Sequence, residues 1–199
     1  MKKFIYLILF VFAAMMPVSL VSCSESDEEN TEFNDWQSRN DAYFKSVYTQ
    51  AKQAIASGDA SWKIIRSYSK NDTTSNINDY IVVKVLSEGS GTQKPLFTDS
   101  VQIHYRGNLM PSESYPAGLQ FDSSWSGEYN ANTMTPYKGT VNTFVAGFST
   151  ALQQMHDGDR WKVYIPYSLA YDSKEQTSVP AYSTLVFDLT LVKSWKKRI

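Results

Sequence analysis

Along the chain the apolar residues follow two different periods. They fall first at Phe33, Trp36, Tyr43, Phe44, Val47, Tyr48, Ala51 and Ile55, in steps that put them on one helical face. The "SGD" at 57–59 ends that helix, and "SWKIIRSYSKNDTTSNINDY" reads as a short strand followed by a polar loop. From about Asp79 the period changes. "YIVVKVLSEGSG" is β-rich and closes in a glycine turn. "DSVQIHYRGNL" alternates Val101, Ile103 and Tyr105 with Gln102, His104 and Arg106, which is the pattern of a half-buried strand. "FVAGFSTALQQMHDGD" interrupts the alternation, because Phe148, Ala151, Leu152 and Met155 share a helical face and Gly158 supplies a stop. Strands resume at "RWKVYIP" and "STLVFDLTLVKSW". The pattern predicts an α+β domain, a twisted antiparallel β-sheet wrapped around one short α-helix and preceded by an N-terminal helix. The aromatic face of that first helix must pack on something, either its own domain or a second copy in a homodimer.

The N-terminal stretch "MKKFIYLILFVFAAMMPVSLVSC" has two lysines, an apolar run and small residues before Cys23, the order of a secretory signal. A membrane-anchoring helix is the alternative, since the run approaches the ~18–20 residues that span a bilayer. Pro17 and the small residues before the cysteine argue against it. "LVSC" resembles the lipoprotein signal of bacteria. That resemblance implies a lipidated Cys23 as the mature N-terminus and as the attachment to the membrane. It implies an outer-membrane lipoprotein in the envelope of a Gram-negative bacterium, facing the periplasm or the surface. The expected organisation is a signal peptide over 1–22, an acidic tether over 23–32, the N-terminal helix and connecting segment over 33–78, and the main domain over 79–199.

Composition narrows the chemistry. A single cysteine makes no internal disulfide, and two separated histidines give no zinc spacing. The formal charge of −1 gives no reason to expect nucleic acid. Neither a G-x-S-x-G elbow nor a glycine-rich phosphate loop is present. His156 in "MHDGD" is accounted for by turn chemistry, and His104 is expected as an exposed imidazole on the polar side of its strand. No metal or cofactor is expected.

What stands out is a set of aromatic residues near loop ends. "VQIHYRG", "LQFDSS", "FVAGF" opening a helix, "LAYD" and "VPAYSTLVFDLTLV" occur in that order. In motif and order they resemble the FKBP-type peptidyl-prolyl cis–trans isomerases, from roughly Tyr80 to Val192. The resemblance implies an FKBP-like fold and an activity on X-Pro bonds of exported polypeptides, with macrolides such as tacrolimus as inhibitors. The alternative is a non-catalytic binding module or chaperone on the same fold. By motif, Tyr105 corresponds to a pocket wall, Phe121 and Asp122 to the phenyl and edge carboxylate, and Phe144 and Val145 to the paired apolar positions. The second of that pair offers a backbone N–H. Phe148 corresponds to the floor, Tyr171 to the hydroxyl-bearing tyrosine and Phe187 to the inward phenylalanine. Tyr137 is the candidate for a further aromatic in the preceding strand. "DSKEQTSVP" is expected to form a flap over the substrate, with Val179 and Pro180 as its apolar edge. It departs from the family pattern. Asp172 stands where glycine is usual, Ser178 where an apolar residue is common, and the loop is slightly short, which predicts a stiffer, more polar flap.

Overall fold

The computed structural model describes residues 31–71 and 76–196. Cys23, the expected signal segment and residues 23–30 of the acidic tether lie outside them. The described residues from Glu32 onward form one compact unit, so the N-terminal helix and the strand that follows it belong to the same body as the rest of the sheet.

The helical pattern yields α1, Trp36–Ala56, while Phe33 belongs to a separate 3-10 turn. The strands are β1 (Trp62–Arg66), β2 (Tyr80–Ser87), β3 (Ser100–Leu109), β4 (Gln120–Ser123), β5 (Tyr137–Thr140), β6 (Arg160–Ile165) and β7 (Leu185–Trp195). They form one sheet in the order β1-β2-β6-β7-β3-β4, with β5 also paired to β3. Every pairing is antiparallel. The second helix, α2, spans Ala146–Leu152.

Side chains alternate across a strand, so each strand presents two faces. Ile81, Val83, Ile103, Val163, Ile165, Phe187 and Leu189 share the core with Phe148, Ala151 and Leu152 of α2. That helix lies so close that a Cβ on Gly147 would stand 2.3 Å from the Ile165 side chain. A glycine is therefore required there. On the opposite face Val82 is buried with Phe44, Val47 and Ala51 of α1, flanked by Trp62, Ile64 and Tyr164. The aromatic face of the first helix thus packs on its own sheet. Ile55, at its far end, stays 42% exposed.

The start of α1 also grips the entrance to β7. The Trp36 indole N–H donates to Ser183 Oγ at 2.8 Å, and the Thr184 N–H donates to Asn40 Oδ1 at 2.7 Å. Asn40 donates in turn to the Trp36 carbonyl. This polar group is fully buried, where an unmatched donor costs about 1–3 kcal/mol.

His104 departs from expectation. Its side chain is only 1% exposed, between the rings of Trp125 at 6.3 Å and Tyr129 at 5.5 Å. The reason is the segment after β4, which folds back over β3. Arg106 donates to the Gly127 carbonyl at 2.7 Å and stacks its guanidinium on Trp125. Arg160 covers Tyr129 while held by both carboxylate oxygens of Asp188. Burial in this aromatic shell lowers the His104 pKa, because the charged imidazolium loses its water.

Candidate active site

An aromatic cavity of about 350 Å³ opens where β3, β4, β5 and the start of α2 meet the loop at Tyr171. Its floor is Phe148, 3% exposed, stacked on Phe144 at 4.8 Å and edge-on to Phe187 at 4.9 Å. Tyr105 stands edge-on to both Phe148 and Phe187, and Phe121 meets Phe187 at 5.6 Å. Tyr137 closes the ring of aromatics, edge-on to Tyr105 at 5.9 Å and to Phe144 at 6.2 Å. Offset and edge contacts of this kind are the favoured geometries for aromatic pairs and hold the rings in fixed mutual positions.

The backbone makes room for this cluster at Gly107. A Cβ there would lie 2.5 Å from Phe121 and 2.7 Å from Phe187. Sequence reading passed over this residue, although the glycine that follows the alternating run in "HYRG" was the available signal. Thr143 also lines the cavity and was missed, since nothing in its local pattern marks it.

Polar groups are few and placed at the rim. The Tyr105 hydroxyl donates to Asp122 Oδ2 at 2.8 Å, and Asp122 Oδ1 accepts the Ser123 N–H at 2.8 Å. Tyr105 is itself fixed by exchange with Ser124, whose Oγ accepts the Tyr105 N–H while its own N–H donates to the Tyr105 carbonyl. Burial, then the hydrogen bond and charge of Asp122, push the Tyr105 pKa well up. Burial also raises Tyr171, with the Asp122 charge adding to it. Both hydroxyls therefore stay protonated at neutral pH and can donate. Val145 precedes α2 in an extended conformation, φ −59° and ψ 153°. Its N–H makes no hydrogen bond among the described residues. No group of three or more His, Cys, Asp or Glu among the described residues is arranged to hold a metal ion.

All of Tyr105, Phe121, Asp122, Tyr137, Phe144, Val145, Phe148, Tyr171 and Phe187 line this one cavity. Val179 and Pro180 do not. The expected flap edge turns away from it, with Val179 4% exposed in the core and Pro180 lining a separate groove beside Phe33 and Leu119. The cause is local. Gln176 and Val179 pair through their backbones to make a tight turn at Thr177–Ser178, which folds the one β-branched apolar side chain of the loop inward. Asp172 takes the left-handed conformation, φ 56°, that glycine adopts without strain, and Tyr182 does the same at the other end, φ 60°. The Tyr182 N–H donates to the Asp172 carbonyl at 2.8 Å, closing the loop at its base.

Seven aromatic residues thus gather in one cavity over a short helix, on an antiparallel sheet. Residues 91–192 match the sequence profile of the FKBP-type peptidyl-prolyl cis-trans isomerases, and the chain belongs to that family. It is 35% identical over 113 residues to the macrophage infectivity potentiator of Trypanosoma cruzi, covering 56% of this chain and 52% of that protein. It is 31% identical over 150 residues to the FKBP-type 22 kDa peptidyl-prolyl cis-trans isomerase of Escherichia coli K12, covering 74% and 65%. The chain thus spans less than two thirds of either relative. The crystal structure of the three FKBP domains of wheat FKBP73 shares the fold. It aligns with a TM-score of 0.52 at 23% identity, over 68% of this chain and 52% of that one.

Proposed function

We infer that the protein is a peptidyl-prolyl cis–trans isomerase that assists the folding of exported polypeptides by turning X-Pro bonds in the aromatic cavity. The observation that carries this reading is the joining, in one cavity, of the nine residues above with only Asp122, three tyrosine hydroxyls and a backbone N–H as polar groups beside Thr143.

The chemistry follows from the amide. Resonance resists rotation about C–N by ~18–20 kcal/mol and gives the planar form its charge separation. X-Pro bonds populate both isomers but exchange slowly enough to limit folding. A cavity walled by Phe121, Phe144, Phe148 and Phe187 solvates the planar, charge-separated amide poorly. The twisted amide needs less solvation, so it is bound better relative to the substrate, which is what lowers a barrier. The Val145 N–H and the Tyr171 hydroxyl hold the flanking carbonyls while the bond turns. Asp122 orients Tyr105 and the rim; it moves no proton, because the reaction transfers none. Proline-mimetic macrolides such as tacrolimus fit the same slot as competitors.

The inward turn of Val179 favours a second reading, a binding module of low turnover, because the cavity then lacks an apolar lid to exclude water. Protease-coupled isomerisation of a short X-Pro peptide separates the two, with Asp122→Ala and Phe187→Ala beside the wild type. Turnover indifferent to both substitutions overturns the site. Absent turnover with tacrolimus still bound establishes the module.

The N-terminal sequence supports lipidation of Cys23 and an envelope location on either side of the outer membrane. Palmitate labelling lost in Cys23→Ala tests the anchor, and protease shaving of whole cells decides the side. No helix among the described residues is long and apolar enough to cross a membrane. Burial of the α1 face against Val82 supports a working unit that needs no partner copy, which light scattering tests.

A further inference from the structure

A second hollow of about 460 Å³ shares Phe144 with the aromatic cavity. Tyr68, Phe97, Phe144, Ala146, Thr150 and Gln153 form its walls, and none of its lining residues is charged. Tyr68 is 61% exposed and Phe97 54%, with Leu96 beside it at 61%. Single exposed apolar residues are ordinary, but several around a common hollow mark a surface that receives something.

These side chains are held out by polar bonds. The Leu96 N–H donates to Asp99 Oδ2, and the Asp99 N–H returns to the Leu96 carbonyl, closing the turn that carries Phe97. The Tyr68 hydroxyl accepts from the Gln154 side chain just after α2. The neighbouring Ser67 is hydrogen-bonded to Thr150 on that helix at 3.1 Å. The hollow is therefore preformed. It adjoins the aromatic cavity, since Phe144 lines both and its ring is stacked on the Phe148 floor.

We propose that this hollow is a subsite for the client chain, taking a large apolar side chain two or three residues from the proline held in the aromatic cavity. The proposal rests on the isomerase reading above. An extended chain advances ~3.3–3.6 Å per residue, so a residue at that distance clears the width of one aromatic ring. The absence of lining charge selects Leu, Ile, Phe or Met over acidic or basic side chains. Folded proteins bury such residues, so the subsite directs the enzyme to X-Pro bonds in unfolded segments.

The test uses the full-length chain, a tetrapeptide containing X-Pro, and two longer peptides that differ only in leucine or serine two or three residues from proline. The wild type is expected to use the leucine peptide about tenfold better in kcat/KM, the order of one apolar side chain buried. Phe97→Ser, a surface change, is expected to abolish most of that preference and leave tetrapeptide turnover unchanged. Equal use of the two long peptides by the wild type overturns the proposal, as does a preference that survives Phe97→Ser. If even the tetrapeptide is not turned over, the isomerase reading has failed by itself. Fluorescence anisotropy with the labelled leucine peptide then decides: binding weakened by Phe97→Ser upholds the subsite, and unchanged binding overturns it. A dimer in sedimentation that Phe97→Ser dissociates assigns the hollow to a second copy and overturns the proposal.

Discussion

Gly107→Ala adds one methyl group at the back of the aromatic cavity. Gly107 lies in β3 opposite Phe187 in β7 and Asp122 in β4, with no positive φ, so alanine meets no backbone strain. The conflict is with side chains alone. Its Cβ would stand 2.5 Å and 2.8 Å from two Phe121 atoms and 2.7 Å from Phe187. Carbon atoms pack best at about 3.5–4.0 Å, so both rings have to retreat by roughly 1 Å. Overpacking of this kind costs about 1–3 kcal/mol, and alanine recovers only about 0.4–1 kcal/mol from the unfolded chain. The net expectation is a loss of stability of about 1–2 kcal/mol in urea unfolding. Catalysis is expected to suffer more, because a displacement near 1 Å at reacting groups can cost on the order of a hundredfold. Protease-coupled isomerisation should show kcat/KM down at least tenfold. Pairing Gly107→Ala with Phe121→Leu, which gives the methyl group space, should restore stability further than it restores turnover. Wild-type turnover and stability in the single variant would refute the claim that Gly107 makes room for the rings.

Three further outcomes are expected. Tyr171→Phe removes the hydroxyl proposed to hold a flanking carbonyl, and a bond worth about 0.5–1.5 kcal/mol predicts a two- to tenfold fall in kcat with stability unchanged; an unaltered kcat removes Tyr171 from the mechanism. Because burial lowers the His104 pKa in the folded state from the ordinary 6.5, the unfolded chain binds the extra proton more readily. Stability should then be full above pH 6.5 and fall as pH drops below it. Arg106 and Arg160 lie over Trp125 and Tyr129, the rings that cover His104, and Asp188 is engaged by Arg160. His104→Gln should flatten that acid limb, and an unchanged limb in urea titrations contradicts the account. Asn40→Ala leaves the buried Thr184 N–H unmatched and should cost about 1–3 kcal/mol, with faster hydrogen exchange at Thr184; exchange as slow as in the wild type shows that the contact does not hold β7.

The sheet and α2 were legible because their alternation and helical spacing are local. The aromatic cavity was legible only through the order of its motifs, since no single phenylalanine distinguishes a pocket wall from a core residue. His104 was misread for a physical reason. It lies on the side of β3 that local pattern calls polar, and a segment distant in sequence buries it. Strand alternation reports what one face of a strand does. It is blind to a loop such as 124–130 that arrives later and covers the other face. The partner of α1 was left open because an amphipathic face states only that burial is needed, and Val82, Ile64 and Tyr164 supply it from strands that each read as ordinary.

The glycine-free loop shows how the molecule holds a strained turn in place. A left-handed conformation costs a non-glycine residue about 1–3 kcal/mol, and Asp172 and Tyr182 both adopt it. Such strain persists only where the surroundings fix the chain. Here the fixing groups lie at the base of the loop. The Asp172 N–H donates to the Tyr167 carbonyl, Tyr182 packs edge-on against Tyr167 at 5.5 Å, and the next two residues are gripped by Trp36 and Asn40 of α1. Glycines would let the loop flex about its ends. This loop instead takes its shape from a helix on the opposite face of the sheet. A flap held in that way cannot close over a guest by hinge motion at 172 or 182 without breaking buried hydrogen bonds. On the proposed isomerase reading, selection among clients falls to surfaces already in place: the aromatic cavity, the Phe144 divide and the uncharged hollow beyond it.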